Sequence, residues 1–247
     1  MVHRAWRIGV TVLLSVCSWS CSHLSLASAP PVAADEHTEV SFPTPLEQEV
    51  INEINLLRAD PSGYARRLEE IQSSYEGVLR MREEGLAPIR TVEGVAPLLE
   101  AVAFLKQLRP MGPLASLDAL VAAARDHVRD QGPTEAIGHR GSDGSNSFER
   151  ISRHGRSTGL SAEVIDYGWT SAREIVMDLL IDDGIADRGH RRNLLIPRYV
   201  HAGAACGPHR RFGVMCVVEM AEAFTPAVFA THEPVGGSVA AGTRATL

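Results

Sequence analysis

Apolar residues fall at helical spacing from residue 44 onward. Leu46, Val50, Ile54 and Leu57 share one stripe, the signature of a helix with one buried face. Thr44, Pro45 and Glu47 supply a capping box with proline at the first helical position. Asp60-Pro61-Ser62-Gly63 breaks this helix, and Tyr64 opens a second that runs to about Ile71. A third is expected from Pro97 to Leu108, ended by Arg109-Pro110-Met111-Gly112-Pro113. Ser116 is the expected cap of a fourth, striped by Leu117, Leu120, Val121, Ala124 and Val128. Ser147 is the expected cap of a short fifth carrying Phe148 and Ile151. Ser171 and Glu174 open a sixth with Ile175, Val176, Leu179 and Leu180.

The strand pattern comes late. Ala162-Glu163-Val164-Ile165 is a short strand, and the runs Tyr199–Cys206 and Phe212–Met220 are rich in small, β-branched and apolar residues. Gly207-Pro208-His209-Arg210-Arg211 separates those two runs as a turn, so they form an antiparallel hairpin. Cys206 and Cys216 are equidistant from a tip near Arg211, which places them opposite each other and predicts a cross-strand disulfide. Residues 76–95 have mixed charge and no period, and no element is assigned to them.

Before the first helix lies a different kind of sequence. Arg4 and Arg7 precede the apolar run from Ile8 to Cys17, and Ala27-Ser28-Ala29 follows. A basic start, a short apolar stretch and a small-residue cleavage site read as a secretory signal over residues 1–29. The apolar run is too short for a mature membrane anchor. Lipidation at Cys21 is the alternative, although Trp19-Ser20 is a poor lead-in for it. Residues 30–43 read as a linker, 44–222 as the folded domain, and 223–247, rich in Ala, Gly, Thr and Val without period, as a disordered tail.

The chain has 247 residues, 24 basic and 30 acidic, with a formal net charge of -6. Losing Arg4 and Arg7 with the signal takes the charge to -8. No basic face points to nucleic acid. Aromatic residues make up 5% of the chain, so Leu, Val, Ile and Ala must build the core. An exported chain that keeps Cys206 and Cys216 suits a single disulfide.

Three segments concentrate chemistry: Gly138-His139-Arg140-Gly141-Ser142-Asp143-Gly144-Ser145, then Ala162-Glu163-Val164-Ile165, then Gly189-His190-Arg191-Arg192-Asn193-Leu194-Leu195. Each alone has an ordinary structural explanation. His127 on the helix stripe reads as a structural histidine, and His209 in the hairpin turn as exposed. Asp143 reads as a loop cap.

In this order, with helices between, the three segments resemble the CAP superfamily, the cysteine-rich secretory, antigen 5 and pathogenesis-related-1 proteins, and most of all its bacterial secreted branch. The stretch from Asn55 to Ala65 and Met111-Gly112-Pro113-Leu114 add to the resemblance, which spans about residues 45–222. It implies an α+β fold, a three-layer α-β-α sandwich with a small antiparallel sheet. It also implies a cleft of two histidines and two acids, here His139, His190, Glu163 and, at the fourth position, Asp182, with the adjacent Asp183 as the other option. Val164 stands where the family's Glu-Asn-Ile stretch has Asn.

That cleft suggests a secreted or periplasmic binding protein for a small molecule, a lipid, a glycan or an extracellular partner. Its two imidazoles are candidate ligands for Zn²⁺ or another divalent cation. The first alternative is a zinc-dependent hydrolase in which Glu163 is the general base. Ser142 or Ser145 as a nucleophile is disfavoured, because turn chemistry explains that loop. The second alternative is a purely structural role for all four residues. The binding reading ranks above the enzyme.

Overall fold

The structure, a computed structural model, describes residues 43–82 and 86–227. The expected signal over 1–29, its Cys21 alternative, nearly all of the linker and the tail beyond residue 227 lie outside the described residues. In chain order the elements are α1 (Pro45–Ala59), α2 (Pro61–Glu70), the short strands β1 (Tyr75–Glu76), β2 (Leu79–Arg80) and β3 (Ile89–Arg90), α3 (Ala96–Leu105), β4 (Ala115–Ser116), α4 (Asp118–Gln131), α5 (Ser147–His154), β5 (Gly155–Tyr167), α6 (Ala172–Ile181), α7 (Gly189–Leu194), β6 (His201–His209) and β7 (Gly213–Pro226).

Local chemistry sets most boundaries. Thr44 accepts from the Glu47 backbone while the Glu47 carboxylate accepts from the Thr44 backbone. Asp60 ends α1 and also caps α2 through Gly63, so the break is only one residue long and α2 begins three residues before Tyr64. Two expected caps are displaced. Ser116 lies in β4, and α4 starts after Leu117 without a side-chain cap. Asn146, not Ser147, caps α5, in a reciprocal box with Glu149. Residues 75–90 form a miniature three-stranded antiparallel sheet, too short for any periodicity to show.

The main sheet has strand order β4-β6-β7-β5. β6 and β5 run antiparallel to β7, and the two-residue β4 is parallel to β6. The expected four-residue strand at 162–165 is the inner part of the long β5, which is displaced by a bulge between Thr158 and Ser161. β7 continues to Pro226, past the boundary expected at residue 222, because residues 155–158 of β5 pair with 223–226. Cys206 pairs directly with Cys216 across the hairpin, and a disulfide joins them.

Alternation along the strands separates two apolar layers. Val164, Ala204, Cys216, Val218 and Met220 pack with α1, α2, α3 and α6. Ile165, Ala205, Met215 and Val217 pack with Ala124 and Val128 of α4, and Ala221 packs with Leu120 and Ile151. The sheet therefore lies between two helical layers. At Gly203 an added Cβ would stand 2.2 Å from the Val121 nitrogen, so α4 reaches β6 only because that position has no side chain.

Fully buried Arg58 joins the outer segments to this core. Its guanidinium donates to the carbonyls of Gly112 (2.9 Å), Leu194 (3.1 Å), Ile196 (3.0 Å) and Tyr199 (3.0 Å). Replacing it with leucine strands two buried acceptors, Leu194 and Tyr199, and two part-buried ones, Gly112 and Ile196, a buried one costing about 1–3 kcal/mol when unsatisfied. Arg58→Leu is expected to lower the unfolding free energy in a urea titration by at least about 3 kcal/mol. Arg58→Lys should recover only part, because one ammonium cannot reach all four carbonyls. A loss below about 1 kcal/mol in the leucine variant would mean that water replaces the guanidinium.

Candidate functional site

The loop between α4 and α5 presents His139, and its entry is fixed at Gly138. The Gly138 N–H donates to the Tyr167 hydroxyl (2.9 Å), while its carbonyl accepts from Gln131 Nε2 (2.8 Å) and bonds His127 Nε2 (2.9 Å). The φ of Gly138 is +93°, which favours glycine. His127 is therefore a buried structural residue, and burial pushes its imidazole below the ordinary value. Beyond His139 the loop folds on itself through Gly141–Ser145 and Gly144–Gly141 backbone bonds. Asp130 holds it through the backbone and hydroxyl of Ser142, and Asp143 accepts from the Ser145 backbone.

His139 Nδ1 lies 2.8 Å from Glu163 Oε1. The other oxygen of Glu163 accepts from Arg150 Nη2 at 2.6 Å, and the same nitrogen donates to the His139 carbonyl at 3.0 Å. Arg150 also donates to the Ser145 carbonyl (3.1 Å). Burial pushes the Glu163 carboxyl up, but the His139 bond and the Arg150 charge and bond outweigh it and hold the group below the usual glutamate value. An ionised Glu163 can only accept, so His139 Nδ1 carries the hydrogen and Nε2 faces outward.

The second histidine repeats the arrangement on the other side. His190 Nδ1 lies 2.8 Å from Asp182 Oδ1, and Asp182 Oδ2 accepts from the His190 backbone at 2.9 Å. Asp182 sits in the left-handed region at φ +57°, a conformation rare for a residue with a side chain; it ends α6 and turns the carboxylate back onto the start of α7. The adjacent Asp183 binds the backbone N–H groups of Val92 and Glu93 instead. Asp182 is thus the acid paired with the second histidine. Buried Arg191 fixes the same corner by donating to the carbonyls of Leu180 (2.6 Å), Pro97 (2.8 Å) and Ile181 (2.8 Å).

The two rings face each other across the cleft with centroids 5.9 Å apart and planes inclined by 50°. Their side chains are 51% and 20% exposed, whereas those of Glu163 and Asp182 are each 1% exposed. The imidazoles therefore line the cleft and the acids stand behind them. The cleft has a volume of about 440 Å³, and Ile137, Ile165, Leu179, Ile185 and Phe212 give it apolar walls. His209 does not reach it as an exposed rim residue: it is buried, with Nε2 2.9 Å from the Ala136 carbonyl and Nδ1 accepting from the Arg211 and Phe212 backbone. The tight turn needs those bonds, and they draw the ring inward.

A carboxylate on Nδ1 with Nε2 free is how proteins orient a metal-ligating histidine. Both rings here meet that condition. A tetrahedral pair on one Zn²⁺ brings ring centroids to about 5 Å, so the rings would close slightly on an ion. Among the described residues no group of three or more His, Cys, Asp or Glu side chains is spaced to hold a metal. Two imidazoles fall short of the three protein ligands that a catalytic zinc centre uses.

The sequence profile of the CAP, or cysteine-rich secretory protein, family matches residues 51–220. The chain belongs to this family. No curated protein matches it. Two solved structures are similar to the CAP chain. One is an outer surface protein from Borrelia burgdorferi, 19% identical, with a TM-score of 0.39, covering 45% of this chain and 79% of that one. The other is an extracellular protein containing an SCP domain from Bacillus anthracis, 15% identical, with a TM-score of 0.37, covering 52% of this chain and 38% of that one.

Sequence reasoning missed the supports of the CAP cleft: Arg150, Arg191, Tyr167, Gln131 and Glu219. Glu219 did leave a signal, because it interrupts the apolar run Val217-Val218-Glu219-Met220-Ala221. It pairs in register with Glu163 and is fully buried. Burial and the adjacent Glu163 charge push the Glu219 carboxyl well above its ordinary value. An acid with a raised native pKa withdraws stability as pH climbs above the ordinary carboxylate range, because only the unfolded chain then ionises freely. Glu219→Gln should thus cost under about 1 kcal/mol at pH 5 and flatten the decline in stability from pH 5 to 8. Glu163→Gln should cost about 3 kcal/mol or more by leaving Arg150 without its buried counter-charge. Urea titrations at the two pH values check both, and equal costs would mean that the buried charges are distributed differently.

Proposed function

We propose that this chain is an exported binding protein whose cleft takes its ligand on the Nε2 atoms of His139 and His190, with a divalent cation such as Zn²⁺ as the simplest occupant. The observation that carries the reading is the matched pair of His–carboxylate bonds, each 2.8 Å, on either side of one cleft. Two buried acids hold two imidazoles with their free nitrogens outward. A purely structural role does not require both rings to present those nitrogens to the same space.

Export is supported by the leader-like residues 1–29 and by the Cys206–Cys216 disulfide. Among the described residues no helix is long and apolar enough to cross a membrane. The hydrolase alternative fares worse. A general base needs a lone pair facing the attacking water, and Glu163 spends one oxygen on His139 and the other on Arg150. Its lowered pKa also makes it a weaker base. The apolar walls leave room for a small organic molecule beside or instead of an ion.

Isothermal titration of the full chain with Zn²⁺ tests the metal reading. One saturable site is expected, abolished in His139→Ala/His190→Ala and weakened about tenfold or more in Glu163→Gln, which loses the charge behind His139. No saturable binding by the unsubstituted chain, or undiminished binding by the double variant, would overturn it.

A further inference from the structure

A second carboxyl pair lines the same cleft, distinct from the two acids that bond the histidines. Asp166 comes from β5 and Asp178 from α6, and both line the cleft. Asp166 is 2% exposed, and neither of its oxygens has a hydrogen bond of normal geometry. Buried acceptors are rarely left in that state. Asp178 is half-buried and forms the accessible end of the pair. Burial first, and then the neighbouring Asp178, pushes the Asp166 carboxyl well up, against a contact from the Trp169 backbone N–H; burial likewise pushes Asp178 up, against bonds from Asp166 and the Trp169 indole. Two such carboxyls resist ionising together and share a proton.

We propose that Asp178, backed by Asp166, forms a subsite for a primary ammonium group carried on a small apolar body. This rests on the reading of the cleft as a binding site and names a class of ligand for it. An ammonium brings three donors and one positive charge, so it can take the place of the shared proton beside these oxygens. Its alkyl body lies against Ile137, Leu179, Ile185 and Phe212, and 440 Å³ is ample for a small amine. A hard divalent ion fits poorly, since it requires six or more oxygens. The other charges facing the pair are Glu174, Asp183 and Arg80. Asp183 is committed to the Val92 and Glu93 backbone, and Arg80 lies over the Trp169 ring at 5.3 Å.

Trp169 is a built-in reporter, because its indole reaches Asp178. The chain has three tryptophans, Trp6, Trp19 and Trp169. In the full chain carrying Trp6→Phe and Trp19→Phe, fluorescence reports Trp169 alone. Hexylamine is expected to change it saturably at pH 7, with affinity at least tenfold above that for 1-hexanol of the same length. Asp178→Asn should weaken hexylamine at least tenfold. Calorimetry in two buffers of different ionisation enthalpy should show the shared proton leaving, about one per amine bound. That last measurement uses the unsubstituted chain, so it stands even if Asp178→Asn fails to fold. A capped lysine run beside hexylamine tells a free amine from a peptide side chain as the source, and saturable binding of either supports the subsite. Equal affinity for amine and alcohol, no proton release, or no binding by either amine would overturn it. If Zn²⁺ still binds while both amines fail, this inference alone falls; if both fail, the cleft reading falls with it.

Discussion

Buried guanidinium groups hold the cleft in shape. His139 sits in a loop and His190 in the six-residue α7, so neither segment is long enough to hold its place by its own backbone bonds. Arg58, Arg150 and Arg191 take over that task, each buried and donating to two or more backbone carbonyls. A guanidinium remains charged at any working pH and carries five donors in a fixed plane, so each of these side chains demands that its acceptors stay in one geometry. Arg150 fixes the position of His139, and Arg191 fixes the turn that carries Asp182 and His190. Arg58 ties the segment after α7 to α1 and to the approach to β4. The desolvation cost is tolerable because each has its acceptors at bonding distance, whereas the loss of the guanidinium leaves several groups unsatisfied at once.

The edge position of β5 explains how two histidines from distant segments meet. Glu163 points toward the α4–α5 layer, where Arg150 and the His139 loop lie. Asp166, three residues later, points toward the opposite layer, where α6 brings Asp178. An edge strand has no further neighbour on its open side, so loops from both layers can fold over it and face each other. The 5.9 Å between the rings is then a consequence of layer order. α4 and α5 deliver one ring, α6 and α7 deliver the other, and the strand edge between them is the floor.

The fold was largely legible because its helices carry long apolar stripes and explicit caps, and because the hairpin carries its cysteines at matched distances from the turn. The exceptions have physical causes. Ser116 and Ser147 are good caps by residue type, but Ser116 is drawn into pairing with β6 and Asn146 offers the better acceptor one residue earlier. β5 begins well before its apolar core because its first half is a solvated edge, where composition carries little strand signal. Of the cleft, the histidines and Glu163 were recognisable through flanking motifs, and Asp182 stood ahead of Asp183 only through the family resemblance. The arginine supports were invisible, since an arginine in an amphipathic helix reads as a solvated face until its carbonyl partners, up to 141 residues away for Arg58, are brought beside it.

Two carboxyl pairs on one strand reach different electrostatic ends because only one has a buried cation. Glu163 and Glu219 lie together in a dry interior, a contact that by itself would raise both. Arg150 supplies one positive charge and bonds to one oxygen, so Glu163 ionises and Glu219 keeps its proton. That pair is complete: one charge is neutralised and one acid is neutral. Asp166 and Asp178 have the Trp169 indole nearby but no guanidinium bonded between them, and both remain raised. The shared proton there does the work that Arg150 does on the opposite face. A proton supplies one bond where a guanidinium supplies several, and both oxygens of Asp166, like both of Glu219, lack a hydrogen bond of normal geometry. What separates the two is place: Asp166 and Asp178 line the cleft, where a ligand can reach them, and Glu219 is fully buried outside its lining.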